Sequence, residues 1–398
     1  MKQNNLFCKI IVNETGYKDF FLVAFFIIAV YRTPIIKVEE LVKENGRASK
    51  DGQIYRRKAD KRKAMNNSPT PLLRRVADYP ASKMYNLNIT MRMNKKIVVI
   101  GSCNTDMVVN MERLPLPGET LIGGKFFMNP GGKGANQAVA AARLGGNVTF
   151  VAKVGNDAFG QRAIEQYQAE GIETRYVLVD GENPSGVALI MVDAQGENSI
   201  AVASGANAQL LPPDIDRAAE AIAKAGILLM QLETPMRTVD YAARIAKEKG
   251  AKVILNPAPA HTLPDSLLRN LYMLIANETE AEFISGTQIT DMDSVARAAD
   301  IISHKGVENV VITLGAKGAF VKEKGSYHQI PGHKVKAVDA TAAGDTFCGA
   351  LCVALSEEKS ITEAVEFANR CAAITVTRMG AQSSVPHRRE VDIFMKEL

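Results

Sequence analysis

The chain has few cysteines for its 398 residues, and they form no recognisable pattern. The five cysteines are Cys8, Cys103, Cys348, Cys352 and Cys371. A scattered, odd-numbered set argues against a disulfide framework and favours a reducing, cytoplasmic compartment. No pair of Cys or His residues completes a zinc-binding pattern. Cys348 and Cys352 lie four residues apart in an apolar run, so we expect them to be small core residues.

The sequence also lacks an apolar segment long enough to span a membrane. The apolar run at residues 20–30 has eleven residues, whereas a membrane-spanning helix needs about 20. Its length suits the apolar core of a signal peptide, but Asp19 adjoins it and no small-residue cleavage site follows. Repeats at solenoid or propeller spacing are absent as well. With 46% hydrophobic and 23% charged residues, the chain has the composition of an ordinary globular protein with no membrane partner.

The net positive charge of the chain comes from its first quarter. Residues 1–93 carry 18 Lys and Arg against 8 Asp and Glu, whereas residues 94–398 carry 30 against 35. Residues 1–93 therefore form a basic N-terminal extension, and three interpretations of it stay open. The first is that the extension does not belong to the working protein, because Met91 and Met93 stand just before the first good strand. The others are a dispensable tail and a targeting or nucleic-acid-binding arm. The remainder has no nucleic-acid footprint, and no nucleic-acid partner is expected.

From residue 95 onward, apolar runs typical of buried strands alternate with helical patterns. Predicted strands occupy residues 96–101, 148–154, 227–232, 252–255, 273–276 and 310–314. Predicted helices occupy residues 135–144, 159–170, 215–225, 238–249, 294–304, 345–355 and 362–377. This alternation predicts an α/β domain over residues 94–398 with a mostly parallel sheet covered on both faces. Residues 107–128 and 186–203 instead show short period-2 runs, which predict a small antiparallel sheet that serves as a lid.

Polar clusters follow several of these strands, where ligands bind in open α/β sheets. Asn104 and Asp106 come directly after the first strand, and side chains two residues apart point the same way. Together they suit a pair of vicinal hydroxyls, although an ordinary Asx turn is the favoured explanation when these residues are taken alone. Asn277 and Glu280 stand where a strand ends and a helix begins. They are either a helix cap or organisers of a hydrated Mg²⁺ ion.

Glycines open the predicted helix after residue 131. The segment at residues 131–136 reads Gly-Gly-Lys-Gly-Ala-Asn, which is neither a Walker A loop nor a dinucleotide-binding fingerprint. Glycines at a helix start allow close approach of the backbone to a ligand, and a simple N-cap is the alternative.

The segment at residues 339–345, Asp-Ala-Thr-Ala-Ala-Gly-Asp, carries the strongest signal. Small residues at the start of an apolar helix leave backbone amides of residues 342–345 free to hold an anion, such as a phosphoryl group. A carboxylate in the same turn repels an anion, so its presence there needs a chemical reason. Asp345 is therefore predicted to be a base beside a phosphate site.

In order along the chain, these segments resemble the signatures of the ribokinase family of sugar kinases. The segments are 104–106, 131–136, 256–260, 277–280, 313–315 and 343–345. The similarity runs from about residue 95 to the C-terminus. It implies a three-layer α/β/α fold with a small β lid, through which such proteins commonly form homodimers.

The resemblance also implies roles for individual residues. The residues implied to line the ribose site are Asn104, Asp106, Gly132, Lys133, Gly134, Ala135, Asn136, Glu233 and Asp345, with Asp345 as the catalytic base. Those implied to contact ATP are Asn277, Thr313, Leu314, Gly315, Ala316, Lys317, Gly318 and Asn369, with Ala342, Ala343 and Gly344 as the anion hole. A K⁺ site is implied for Asp339, Thr341, Thr375, Arg378, Gly380 and Ser384, and an indirect role with Mg²⁺ for Glu280. A purely structural hydrogen bond is the alternative for Asp339.

The sequence departs from the family in two places. Ala340 and Ala342 replace the Thr and Gly of the common D-T-x-G-A-G-D form, and the basic N-terminal extension has no counterpart. The implied activity is Mg²⁺-dependent, K⁺-stimulated transfer of the γ-phosphate of ATP to the 5-hydroxyl of D-ribose, which gives ribose 5-phosphate. The alternatives are a kinase for deoxyribose, another sugar or a nucleoside, or a non-catalytic sugar-sensing or DNA-binding protein.

Overall fold

A nine-stranded sheet forms the centre of the computed structural model, which describes residues 95–397. The predictions for residues 1–93 fall outside these described residues. The strands are β1 Lys96–Ile100, β2 Asn104–Asn110, β3 Lys125–Gly131, β4 Val148–Gly155, β5 Glu173–Asp180, β6 Gly186–Val192, β7 Asn198–Ala203, β8 Ala225–Met230, β9 Lys252–Leu255, β10 Met273–Asn277, β11 Asn309–Thr313, β12 Ala319–Glu323 and β13 Ser326–Ile330. The large sheet has the order β13-β12-β11-β10-β9-β8-β1-β4-β5. Neighbouring strands pair in parallel from β11 to β5. At the other edge, the β11–β12 and β12–β13 pairs are antiparallel, so β12 alone runs against the other strands.

Helices cover both faces of the large sheet. They are α1 Lys133–Arg143, α2 Ala158–Ala169, α3 Pro212–Arg217, α4 Ala219–Ala223, α5 Met236–Glu248, α6 Asp265–Leu268, α7 Glu278–Ser285, α8 Met292–His304, α9 Ala343–Ser356, α10 Ile361–Thr375 and α11 Arg388–Glu397. No helix within residues 95–397 has the length and apolar character needed to cross a membrane.

The interior strand β1 shows why its sequence is apolar from Ile97 to Ile100. Ile97 and Val99 point into the core beneath α1, α9 and α10, whereas Val98 and Ile100 point into the core beneath α5 and α8. All four side chains are fully buried, and each contributes about 1.5–3 kcal/mol relative to exposure. A strand buried on both faces leaves no polar position, as the sequence indicated.

A second, smaller sheet has the order β3-β2-β6-β7. The pairs β2–β3 and β6–β7 are antiparallel, and the central pair β2–β6 is parallel. The predicted α/β class, with a large mostly parallel sheet and a small additional one, is confirmed. We call the four strands β2, β3, β6 and β7 the small sheet.

Some boundaries differ from the predictions. The helix expected over residues 215–225 is divided into α3 and α4, because Ala218 leaves helical geometry and two prolines start the helix at Pro212. Strands β5, β12 and β13 were not predicted. Cys348 and Cys352 are buried in the core as expected, and the four cysteines of the described residues are free thiols.

Candidate functional site

The carboxyl ends of β1, β8, β9 and β10 meet the first turns of α1 and α9, and the predicted base lies at this junction. Asp345, in the first turn of α9, is only 8% exposed. Its Oδ2 accepts a hydrogen bond from Asn136 Nδ2 at 2.9 Å, and its Oδ1 accepts one from Gln137 Nε2 at 3.0 Å. Asn136 and Gln137 are consecutive residues near the start of α1, so the start of one helix holds the carboxylate that the start of the other carries.

The surroundings of Asp345 have opposing effects on its pKa. Burial raises the pKa of Asp345, while Lys133 and the two amide donors oppose that rise and Glu233 adds to it. The net shift is upward. Both amide donors require an acceptor, so this arrangement is made for the ionised carboxylate.

Lys133 is the cation of this cluster. Burial lowers the pKa of its ammonium group, but Asp345, Glu233 and Glu280 raise it by more, so the net shift is upward. One ammonium group is therefore within electrostatic range of three carboxylates.

A chain of three side-chain amides, two of them fully buried, stands behind Asp345. Asn256 Nδ2 donates to the Ile275 carbonyl at 3.0 Å, which leaves Asn256 Oδ1 to accept from Gln137 Nε2 at 3.0 Å. Gln231 Nε2 donates in turn to Gln137 Oε1 at 2.5 Å. Gln231 Oε1 is then left buried without a partner among the described residues. The Ile275 carbonyl thus fixes the direction of every hydrogen bond in this series of amides. As a result Gln137 presents an N–H group to Asp345, and Gln231 Oε1 at the other end has no partner among the described residues.

Glu233 ties the glycine-rich segment to the end of β1. Its Oε2 accepts from Ser102 Oγ at 2.6 Å and from the Lys133 amide at 3.1 Å. The glycines of this segment allow contact between two parts of the chain. A Cβ atom on Gly134 would lie 2.6 Å from the backbone of Gly101, and one on Gly132 would lie 2.7 Å from the Asn104 amide. The glycines therefore let α1 start against the β1–β2 connection.

Asn104 and Asp106 open strand β2, so the Asx-turn alternative is wrong. Asn104 is buried, and its Oδ1 accepts from Asn207 Nδ2 at 2.8 Å. Burial, followed by the charges of Glu233 and Asp345, raises the pKa of Asp106 to about 6. The structure thus brings Asp106 into the same electrostatic cluster as Lys133, Glu233 and Asp345.

The residues expected to contact ATP lie at the ends of β10, β11 and β13. Asn277 caps α7 by accepting from the Glu280 amide at 2.7 Å, and the Glu280 carboxylate accepts from the Asn277 amide at 2.9 Å. This capping box uses both side chains, and burial raises the pKa of Glu280. Residues 313–318 form the turn after β11. Asn369 on α10 donates to the Pro331 carbonyl at 3.2 Å, close to the end of β13.

The start of α9 departs from one expectation. The Ala343 amide donates to the Ala340 carbonyl at 3.2 Å, so it is not free as predicted for an anion hole. The amides of Gly344 and Asp345 lie in the first helical turn, where no intrahelical acceptor exists. Ala342 has φ 59°, a left-handed conformation that favours glycine, and it is one of the two positions that depart from the family pattern.

Asp339 connects two loops. Its Oδ1 accepts from the Thr341 amide and its Oδ2 from the Gly380 amide, both at 2.8 Å. Burial raises the pKa of Asp339, but these hydrogen bonds lower it by more, and the net shift is downward. Three of the six predicted K⁺ ligands are therefore linked directly by hydrogen bonds, namely Asp339, Thr341 and Gly380.

The remaining predicted K⁺ ligands have local partners. Ser384 Oγ donates to the Ala381 carbonyl at 2.7 Å, and the Thr375 carbonyl accepts from the Arg378 amide at 3.1 Å. The donor set consists of carboxylate, hydroxyl and carbonyl oxygens, each of which has a second lone pair, so its chemistry fits a hard cation. Within residues 95–397 no group of three or more His, Cys, Asp or Glu side chains could hold a metal ion. The indirect role of Glu280 with a hydrated Mg²⁺ ion stays a prediction.

Several residues of the site were missed. They are Ser102, Gln137, Asn207, Gln231 and Gln382, with Asn256 quoted only as part of a motif. Gln137 adjoins Asn136 in the sequence, so its place near the start of the helix predicted over residues 135–144 was the available signal. Gln382, which donates to Asn136 Oδ1 at 3.2 Å, meets the site only through the tertiary fold.

Residues 94–388 match the family model described as pfkB family carbohydrate kinase. The chain belongs to this family. The kinase is 47% identical over 304 residues to the ribokinase of Haemophilus influenzae, with 76% of this chain and 99% of that protein covered. It is 40% identical over 291 residues to the deoxyribokinase of Salmonella typhi, with 73% of this chain and 95% of that protein covered.

The kinase also resembles solved structures. It matches Arabidopsis thaliana ribokinase complexed with ribose and ATP with a TM-score of 0.72 and 35% sequence identity. That match covers 76% of this chain and 99% of the Arabidopsis chain.

Proposed function

We propose that this kinase transfers the γ-phosphate of ATP to the 5-hydroxyl of D-ribose. The observation that carries the proposal is the buried carboxylate of Asp345, which lies in the first turn of α9. Asn136 and Gln137 of α1 donate hydrogen bonds to it, and the charge of Lys133 acts on it. The names of the relatives, ribokinases in a bacterium and a plant, point to the same substrate.

The proposed mechanism assigns the proton and the charge to residues of this chain. Asp345 takes the proton of the sugar hydroxyl as the new P–O bond forms. Asn104 and Asp106 hold hydroxyls at the other end of the sugar. Lys133 and the amides at the start of α9 counter the negative charge of the transferring phosphoryl group, since phosphoryl transfer depends mainly on positioning and electrostatics.

Two cations belong to the proposal. Mg²⁺ would neutralise the phosphate oxygens of ATP, and Glu280 would organise the water around it. K⁺ would lie among Asp339 and the neighbouring loop oxygens. The free, buried cysteines suit a cytoplasmic location for the reaction.

A homodimer through the small sheet is proposed as well. Strand register places Phe126, Met128 and Leu189 on the face opposite to Asp106, and these side chains are 59%, 44% and 54% exposed. An exposed apolar face of this kind marks an interaction surface. Sedimentation equilibrium should show a dimer, and Phe126→Ser combined with Leu189→Ser should yield a monomer if this face is the interface.

Deoxyribose is the second candidate substrate, because a deoxyribokinase is 40% identical to this chain. The Asn104–Asp106 pair favours ribose, since a buried carboxylate that loses its hydroxyl partner costs about 1–3 kcal/mol. We expect ribose to exceed 2-deoxyribose by at least about tenfold in kcat/KM. Equal or better use of deoxyribose would refute the ribose assignment.

A coupled assay of ADP release tests the proposal. It uses ATP, Mg²⁺ and a panel of pentoses, hexoses and nucleosides, with and without K⁺. Turnover should be highest with ribose, and no turnover with any sugar would favour the non-catalytic alternatives.

A further inference from the structure

Asn207 lies behind the proposed sugar site, at the point where the small sheet joins the large one. It belongs to the 3-10 helix Gly205–Gln209, directly after β7, and is 1% exposed. Its side chain reaches back to Cys103 and Asn104, where the chain enters β2. It therefore connects the last strand of the small sheet to the first.

The backbone of Cys103 fixes the orientation of the Asn207 amide. Asn207 Oδ1 accepts from the Cys103 amide at 2.9 Å, and Asn207 Nδ2 donates to the Cys103 carbonyl at 3.1 Å. A backbone N–H group can only donate and a backbone carbonyl can only accept, so the reverse orientation would lose both bonds.

The orientation of Asn104 then follows from that of Asn207. The second hydrogen of Asn207 Nδ2 points to a side-chain atom of Asn104 at 2.8 Å. That atom has to be an acceptor, so it is Oδ1, and the NH₂ group of Asn104 is left facing away from Asn207.

This orientation decides what Asn104 offers to a sugar. Asn104 and Asp106 share one face of β2, two residues apart. With its amide fixed, Asn104 presents a donor beside the acceptor carboxylate of Asp106. A hydroxyl group both accepts and donates, so a donor–acceptor pair is complementary to neighbouring sugar hydroxyls. A reversed Asn104 would present two acceptors in a row.

The backbone of Gly186 packs closely against both amides. A Cβ atom on Gly186 would lie 2.2 Å from Asn207 Nδ2 and 2.3 Å from Asn104 Oδ1. Gly186 is the first residue of β6, so the starts of β2 and β6 and the segment after β7 all pack around this one amide pair.

We propose that Asn207 is a positioning residue for sugar binding, which holds the Asn104 amide with its donor towards the substrate. The inference rests on the proposed function in that Asn104 contacts the sugar. Asn207 itself touches Cys103 and Asn104 and acts only through them.

The test replaces Asn207 by residues that cannot donate in the same way. Asn207→Asp keeps the shape but loses the donor to Asn104, and Asn207→Ser is too short to reach it and adds no charge. For both variants we expect the KM and the calorimetric Kd for ribose to rise at least about tenfold, while the KM for ATP and kcat change less than about threefold.

Two further variants separate positioning from general damage. In an Asn104→Ala background, Asn207→Ser should have no additional effect on ribose affinity, because the group that it orients is gone. Asn309 is a matched control, since it is also buried and donates to a backbone carbonyl, Tyr272, at 2.9 Å. Asn309→Asp should lower the melting temperature without changing the KM for ribose.

The outcomes are distinct. Unchanged ribose affinity in a folded Asn207→Ser or Asn207→Asp protein would overturn the inference, as would equal losses for ribose and ATP or additive effects with Asn104→Ala. If the wild-type protein prefers another sugar of the panel, the proposed ribose specificity fails, and the same comparison is made with that sugar.

Discussion

Gln137 donates a hydrogen bond to Asp345 at 3.0 Å. The carbonyl of Ile275 sets the direction of that bond through Asn256, by two further hydrogen bonds. The same chain leaves Gln231 Oε1 buried without a partner among the described residues, an arrangement that costs about 1–3 kcal/mol. The cost is understandable if the site requires an N–H group on the carboxylate of Asp345.

Replacing Gln137 by Met should therefore change the proton affinity of Asp345. The lost hydrogen bond favours the ionised form, so the already raised pKa of Asp345 should rise further. A base must be ionised to act, and the acidic limb of the pH profile of kcat should move to higher pH by about one unit. Gln231→Met is the control, because it keeps both donors of Gln137. It should alter the melting temperature but leave that limb in place, and an equal displacement in both variants would contradict this account.

Sugar binding should weaken in acid because of Asp106. Burial and the charges of Glu233 and Asp345 raise its pKa to about 6, and the protonated acid no longer accepts hydrogen bonds on both oxygens. The KM for ribose should rise as the pH falls below about 6, with a smaller change in the KM for ATP. Asp106→Asn should abolish this pH dependence, and a KM that stays constant down to pH about 5 in the wild type would contradict it.

The same residue affects stability with a definite sign. The folded protein binds the proton of Asp106 more tightly than the unfolded chain, where the pKa is 3.8. The contribution of Asp106 to the free energy of unfolding is therefore largest below pH about 4, and it is lost as the pH rises through about 6. In the absence of sugar, Asp106→Asn should raise the melting temperature at pH 8 relative to the wild type.

Asp339 should couple activity to K⁺. Its carboxylate joins the loops at Thr341 and Gly380, so a cation there would set the shape of the segment that leads into α9. Exchange of Na⁺ for K⁺ should raise kcat, and Asp339→Asn should remove the response while ribose still binds. If K⁺ does not change the activity of the wild type, the prediction is wrong, and the role of Asp339 is limited to its hydrogen bonds with Thr341 and Gly380.

The basic N-terminal extension should be dispensable. The first strand of the large sheet begins at Lys96, and the composition changes at about residue 94. A chain that begins at Met93 should match the full chain in kcat and melting temperature. Insolubility or inactivity of the shortened chain would contradict this, and salt-sensitive DNA binding by the full chain would support the nucleic-acid arm.

The sequence predicted the parts of the site that are local in the chain. The apolar run of β1, the glycines at the start of α1 and the small residues before α9 are each local features of the sequence. They marked the end of β1 and the starts of α1 and α9 to within about two residues. The parts that depend on tertiary contact escaped prediction. Asn207 reaches Asn104 from 103 residues away, and Gln382 reaches Asn136 from 246 residues away. An isolated Asn or Gln gives no periodic signal, so these links became visible only in the structure.

The most direct test of the account is the turnover of Asp345→Asn with ribose and ATP at saturating concentrations. General-base catalysis is worth about 10²–10⁴-fold, so kcat should fall by that factor. Calorimetry should show ribose and ATP affinities within about threefold of the wild type, because the base acts mainly in the transition state. A variant that binds both substrates and keeps more than about a tenth of the wild-type kcat would contradict the assignment of Asp345 as the base.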